Sequence, residues 1–89
     1  MKKEECKETY SEMINKAIDH FEKITKEIGA VDFEFIEADA PTGFIDIIFY
    51  LDGKHIFISG AIRFVENDDC IESYEFVKKE YIKKYISDP

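Results

Sequence analysis

No apolar run in this chain approaches the roughly 20 residues that a membrane-spanning helix needs, and the opening MKKEECKETY has no hydrophobic segment of the kind that directs secretion. A cytoplasmic location is expected. Cysteine is scarce: Cys6 and Cys70 stand far apart, without the dense framework of a small secreted domain, which predicts reduced thiols. Positive charge is scarce as well, with 12 Lys and Arg against 20 Asp and Glu, for a net charge of −8. Such a surface lacks the cations that phosphate backbones and anionic membranes require, so neither direct nucleic-acid binding nor membrane binding is expected. A basic protein or a small cation is admitted as partner.

Groups for catalysis are few. Cys70 and His55 are the one conceivable nucleophile and base, and neither lies in a local catalytic motif. Cys6, His20, His55 and Cys70 lack the close pairs of a zinc site, and ENDDCIE lacks the glycine and terminal glutamate spacing of a calcium loop. Gly29, Gly43, Gly53 and Gly60 suit a helix cap, turns or a bulge, and none builds a phosphate-cradling loop. The chain is therefore expected to be no enzyme, with no catalytic residue, no metal ligand and no cofactor.

What is present is an apolar inventory of 45% with eight Phe and five Tyr, held in solution by 36% charged residues. At 89 residues this predicts one compact domain. It would bury roughly 60–65% of the surface of its unfolded chain.

Apolar residues from Cys6 through Tyr10, Met13, Ala17, Phe21 and Ile24 to Ile28 recur every three or four positions, predicting a helix over about 4–28. Gly29 follows as its C-cap. VDFEFIE alternates with period two and predicts a strand over 31–37. ADAPTG is a connection, broken by Pro41 and Gly43. FIDIIFYL predicts a second strand, over 44–51, and Asp52-Gly53 is a two-residue hairpin turn that would set Leu51 opposite Lys54, Phe49 opposite Ile56 and Ile47 opposite Ile58. The third strand is expected over 54–65. Asp69 with Glu72 three residues on has capping-box spacing, and Ile71, Tyr74, Val77, Tyr81, Ile82 and Tyr85 form a helical stripe, predicting a second helix over about 69–86. The expected fold class is α+β: a two-layer α-β-β-β-α domain in which an antiparallel three-stranded meander packs against two helices.

In the hairpin, Ile45, Ile47, Phe49, Leu51, Ile56, Ile58, Ile62 and Phe64 fall on one face, which should be the core. The other carries Phe44, Asp46, Ile48, Tyr50, His55, Phe57, Ser59, Ala61 and Arg63. A helix or tail could fold over part of it, or single aromatics could stand exposed, which is common. Alternatively Phe44, Ile48, Tyr50 and Phe57 form a contiguous patch for a partner or for a second copy of the chain, giving a homodimer.

Acidity concentrates in the middle of the chain, where residues 30–76 hold eleven acids against Lys54 and Arg63 alone. Some of these acids are expected to cap helices or to coat a solvated surface. As a field, they would steer the domain to a basic cleft. The electrostatic contacts expected of a partner site are Glu34, Glu37, Asp39, Glu66, Asp68 and Asp69.

A helix, a three-stranded meander and a helix, with acidic runs such as EFIEAD and VENDDCIE, resemble the small phage-encoded inhibitors of bacterial defence nucleases, including anti-CRISPR proteins that imitate DNA. The resemblance spans the chain in architecture and charge. No motif matches residue by residue, so no functional residue carries over. It implies an acidic protein-binding inhibitor that blocks the basic cleft of a nucleic-acid-handling protein; a homodimeric accessory domain pairing through the aromatic face is the other expectation.

Overall fold

The structure, a computed structural model, describes residues 8–37 and 43–87. Its elements are α1 (Tyr10–Ile28), β1 (Asp32–Glu37), β2 (Phe44–Leu51), β3 (Lys54–Asn67), β4 (Cys70–Phe76) and α2 (Lys79–Ser87), an α+β arrangement.

α1 starts at Tyr10 because Thr9 caps it. The Thr9 hydroxyl accepts the Glu12 amide at 3.2 Å, and the Glu12 carboxylate accepts the Thr9 amide at 2.9 Å. This capping box satisfies donors that the first turn would otherwise leave open. The expected start near Glu4 is thus corrected as far as Glu8 and Thr9, which precede the helix; residues 1–7 lie outside the described residues. Gly29 closes the helix in the left-handed conformation, at φ 77°. Met13, Ala17, Phe21 and Ile24 are buried on one stripe, and Phe21 sits among the rings of Phe33, Phe35, Phe49 and Phe76 at centroid distances of 5.9 to 6.4 Å.

The sheet is antiparallel in the order β1-β2-β3-β4. Asp52-Gly53 turns β2 into β3 in the expected register, with Leu51 opposite Lys54, Phe49 opposite Ile56 and Ile47 opposite Ile58. The expected three-stranded meander is corrected to four strands, because residues 70–76 form β4 in place of the first half of a helix. Asp68 and Asp69 take left-handed φ values of 54° and 66°, the conformation a two-residue hairpin turn demands, so Asp69 is a turn residue and not a helix cap.

The misleading helical spacing has a specific origin. Val65 pairs with Ser73 but Glu66 pairs with Ile71, leaving Glu72 as the extra residue of a bulge. A bulge lets side chains three apart, Ile71 and Tyr74, point to the same side of a strand. α2 begins only at Lys79. It packs against β3 and the C-terminal end of α1, with Ile82 buried in the core and Lys79 Nζ 2.8 Å from Glu27 Oε1; Tyr81 and Tyr85, expected on its buried stripe, are exposed.

A second irregularity lies between β2 and β3. Ile47 pairs with Ile58 and Ile45 with Ile62, so Ser59, Gly60 and Ala61 together face Asp46. The Asp46 carboxylate accepts the Gly60 amide at 2.7 Å and holds this excursion in place. Ala61, expected on the mixed face, is buried instead, and its carbonyl accepts the Val77 amide at 2.8 Å.

Cys70 is half-buried where β4 begins and is disulfide-bonded, which corrects the expectation of a reduced thiol there. Cys6 lies outside the described residues. No helix among them is long and apolar enough to cross a membrane.

Candidate protein-interaction surface

The hairpin register divides the sheet into two unlike faces. Ile45, Ile47, Phe49, Ile56, Ile58 and Ile62 turn inward and are buried against α1 and Ile82. The opposite face is open over β1 to β3: Phe44 and Phe57 keep 44% and 47% of their surface, and Ile36, Ile48 and Tyr50 are half-buried. Ile48 pairs directly with Phe57, and Tyr50 with His55. The expected aromatic residues Phe44, Ile48, Tyr50 and Phe57 therefore share one accessible face. Ile36 and the exposed Val65 extend it beyond the four residues expected from the sequence.

Acids flank this patch on the β1 side, while Arg63 and His55 lie across from Phe44 and Tyr50 on β3. On β1, Asp32 and Glu34 point to the open face opposite Tyr50 and Ile48. The Tyr50 hydroxyl donates to Glu34 Oε1 at 2.8 Å; that hydrogen bond, with some desolvation and the charges of Glu34 and Asp32, raises the phenol's pKa. Asp46 also lies on this side, but its carboxylate is engaged by Gly60.

The remaining acids gather at another place. Glu37 accepts the Tyr10 hydroxyl at 3.0 Å. Burial first, then this hydrogen bond and the charges of Glu37 and Glu66, push the Tyr10 phenol up to about 12. Glu37 and Glu66, distant in sequence, thus converge on one tyrosine. Asp68 and Asp69 form the β3–β4 turn just beyond Glu66. Of the expected contacts, Glu37 and Glu66 meet at Tyr10, Asp68 and Asp69 form the turn further along β3, Glu34 stands apart on the open face, and Asp39 lies outside the described residues.

His55 and Cys70 stand near opposite ends of the 14-residue β3. A strand of that length separates them by roughly 40 Å, so they form no catalytic pair. His20 packs on Phe21 and Phe76, with Nε2 3.1 Å from the Val77 carbonyl. Among the described residues no group of three or more His, Cys, Asp or Glu is placed to hold a metal ion. Two surface grooves, of about 300 and 450 Å3, share Arg63 and Glu75; the smaller also meets Lys78 and Tyr81.

No family model matches this chain, and neither the curated proteins nor the solved structures contain a match to it.

Proposed function

We propose that this chain is an acidic protein-binding inhibitor that lays its open sheet face and the acids around it onto the basic cleft of a nucleic-acid-handling or defence protein, in the manner of a nucleic-acid mimic. The observation that carries this reading is the open face itself, an exposed apolar centre of Phe44, Ile48, Tyr50 and Phe57 bordered by Asp32 and Glu34. Interfaces favour aromatic centres with polar rims, and monomers seldom leave contiguous apolar patches open without a use. The acids supply selection: an excess of eleven carboxylates over two cations in residues 30–76 accelerates encounter with a basic partner and opposes an acidic one.

Exposure of Phe44 and Phe57 also favours a second reading, a homodimer through the same face. Affinity capture from lysates at low and high salt, with the mass of the eluted complex, separates the two. A nucleic-acid-handling protein retained at low salt and shed at high salt supports the inhibitor. Recovery of the chain alone, as a dimer that a Tyr50→Glu variant abolishes, supports the homodimer and overturns the inhibitor.

A further inference from the structure

β1 stands at one edge of the four-stranded sheet. The Asp52-Gly53 hairpin is closed by the hydrogen-bonded pair Leu51–Lys54, and bonded and non-bonded pairs alternate along an antiparallel ladder. Phe49 and Ile47 therefore bond to β3, while Tyr50, Ile48 and Asp46 turn their backbone groups to β1. The Val31 amide on the Tyr50 carbonyl, at 2.8 Å, agrees with that phase. Asp32, Glu34 and Ile36 answer them across β1–β2. It follows that Phe33, Phe35 and Glu37 point their amides and carbonyls away from the sheet.

The Phe33 amide is taken by the carboxylate of Asp32, its own neighbour, at 2.8 Å. No backbone bond from outside the sheet reaches Phe35 or Glu37 among the described residues. The other edge differs: on β4 the Ile71 amide donates to the Glu8 carbonyl at 2.8 Å. Exposed edges are templates for strand addition.

We propose that β1 is a docking edge at which an extended, basic segment of the partner adds as a further strand. Charge complementarity selects this occupant. On the open face the added strand would lie beside Asp32 and Glu34, where alternate Lys or Arg residues form favourable cross-strand pairs. On the helix side it would cover the half-buried rings of Phe33 and Phe35 with apolar residues. A second copy is a poor occupant, because β1 carries Asp32, Glu34 and Glu37 and no cation, so pairing β1 with itself would set like charges together. This inference rests on the inhibitor reading and specifies how the partner is held.

The test is a titration of the intact protein with a short peptide alternating lysine and valine, followed by amide-proton exchange. Exchange at the Phe35 and Glu37 amides is expected to slow about tenfold or more at saturating peptide, with the Ile71 amide unchanged. A Glu34→Lys variant, which removes one carboxylate of the edge together with its bond from the exposed Tyr50 hydroxyl, should bind the lysine peptide about tenfold or more weakly, and Tyr50→Phe, which removes that bond alone, should bind it as the native chain does. Peptide binding that shifts Phe57 and Ile48 but leaves the Phe35 amide unprotected overturns edge addition while leaving acidic docking intact. Absence of peptide binding beside successful capture of a basic partner overturns the edge alone; failure of both experiments overturns both readings. Protection of β1 in peptide-free protein of dimeric mass makes a second copy the occupant and overturns the proposal.

Discussion

The carboxylate of Asp46 on β2 accepts the amide of Gly60 on β3 at 2.7 Å, and this bond holds the segment Ser59–Ala61 out of the regular ladder. The site is half-buried, so an unmatched amide there is unfavourable. Replacing Asp46 by Ala should cost about 1.5–3 kcal/mol, the range for hydrogen bonds to charged groups, while Asp46→Asn should retain part of the bond. Urea midpoints of the three proteins check this. Equal midpoints for Ala and Asp would remove the bond from the account of the bulge.

Asp68 and Asp69 occupy a turn that favours asparagine and glycine. A left-handed backbone strains a residue with a side chain by roughly 1–2 kcal/mol, less for Asp than for most. Asp69→Gly, alone or with Asp68→Asn, is therefore expected to raise stability by about 0.5–1 kcal/mol, offset in part by glycine's added freedom in the unfolded chain. Thermal denaturation reads the change. A lowered midpoint would mean that these side chains make contacts worth more than the strain.

Tyr10 gives stability a defined alkaline limit. Its folded pKa lies near 12, above the unfolded value of 10.0. The native state thus binds more protons between those two values, and stability falls as pH rises through that window, having been fully present below pH 10. Tyr50 and Tyr85 are raised too and act in the same direction. Tyrosinate absorbance should show late-titrating phenols, and Tyr10→Phe should remove one of them and reduce the alkaline loss. An unchanged titration curve in the variant would contradict the Tyr10–Glu37 arrangement.

Cys70 is expected to resist alkylation until the protein is reduced. Disulfides typically contribute about 2–4 kcal/mol, and Cys70→Ser should lower stability on that scale. Labelling of Cys70 in unreduced protein would contradict the bond.

The β2–β3 hairpin was legible in the sequence because strict alternation meets an Asp-Gly turn, and both signals are local. The same is true of the stripe of α1 and its Gly29 cap. β4 was not legible: the bulge at Glu72 separates the inward side chains Ile71 and Tyr74 by three residues, and Asp69 with Glu72 imitates a helix start. Local spacing cannot distinguish a bulged strand from a helix when both place the same residues inside. The aromatic half of the candidate surface followed from alternation and was readable. The irregularity at Gly60 was marked by the glycine itself, but the meeting of Glu37 with Glu66 at Tyr10, and the choice of the Asp46 carboxylate as partner of the Gly60 amide, depend on chain segments far apart in sequence.

The most direct test of the proposed inhibitor is the rate at which the protein associates with its captured partner across a range of salt, for the native chain and for a variant carrying Glu34→Lys, Glu66→Lys and Asp68→Lys. Electrostatically steered encounter predicts a native rate that falls steeply with salt, and a variant about tenfold or more slower at low salt with a flattened dependence. A variant that associates as fast as the native chain at every salt concentration would contradict the account and leave the acidic residues as solvated surface.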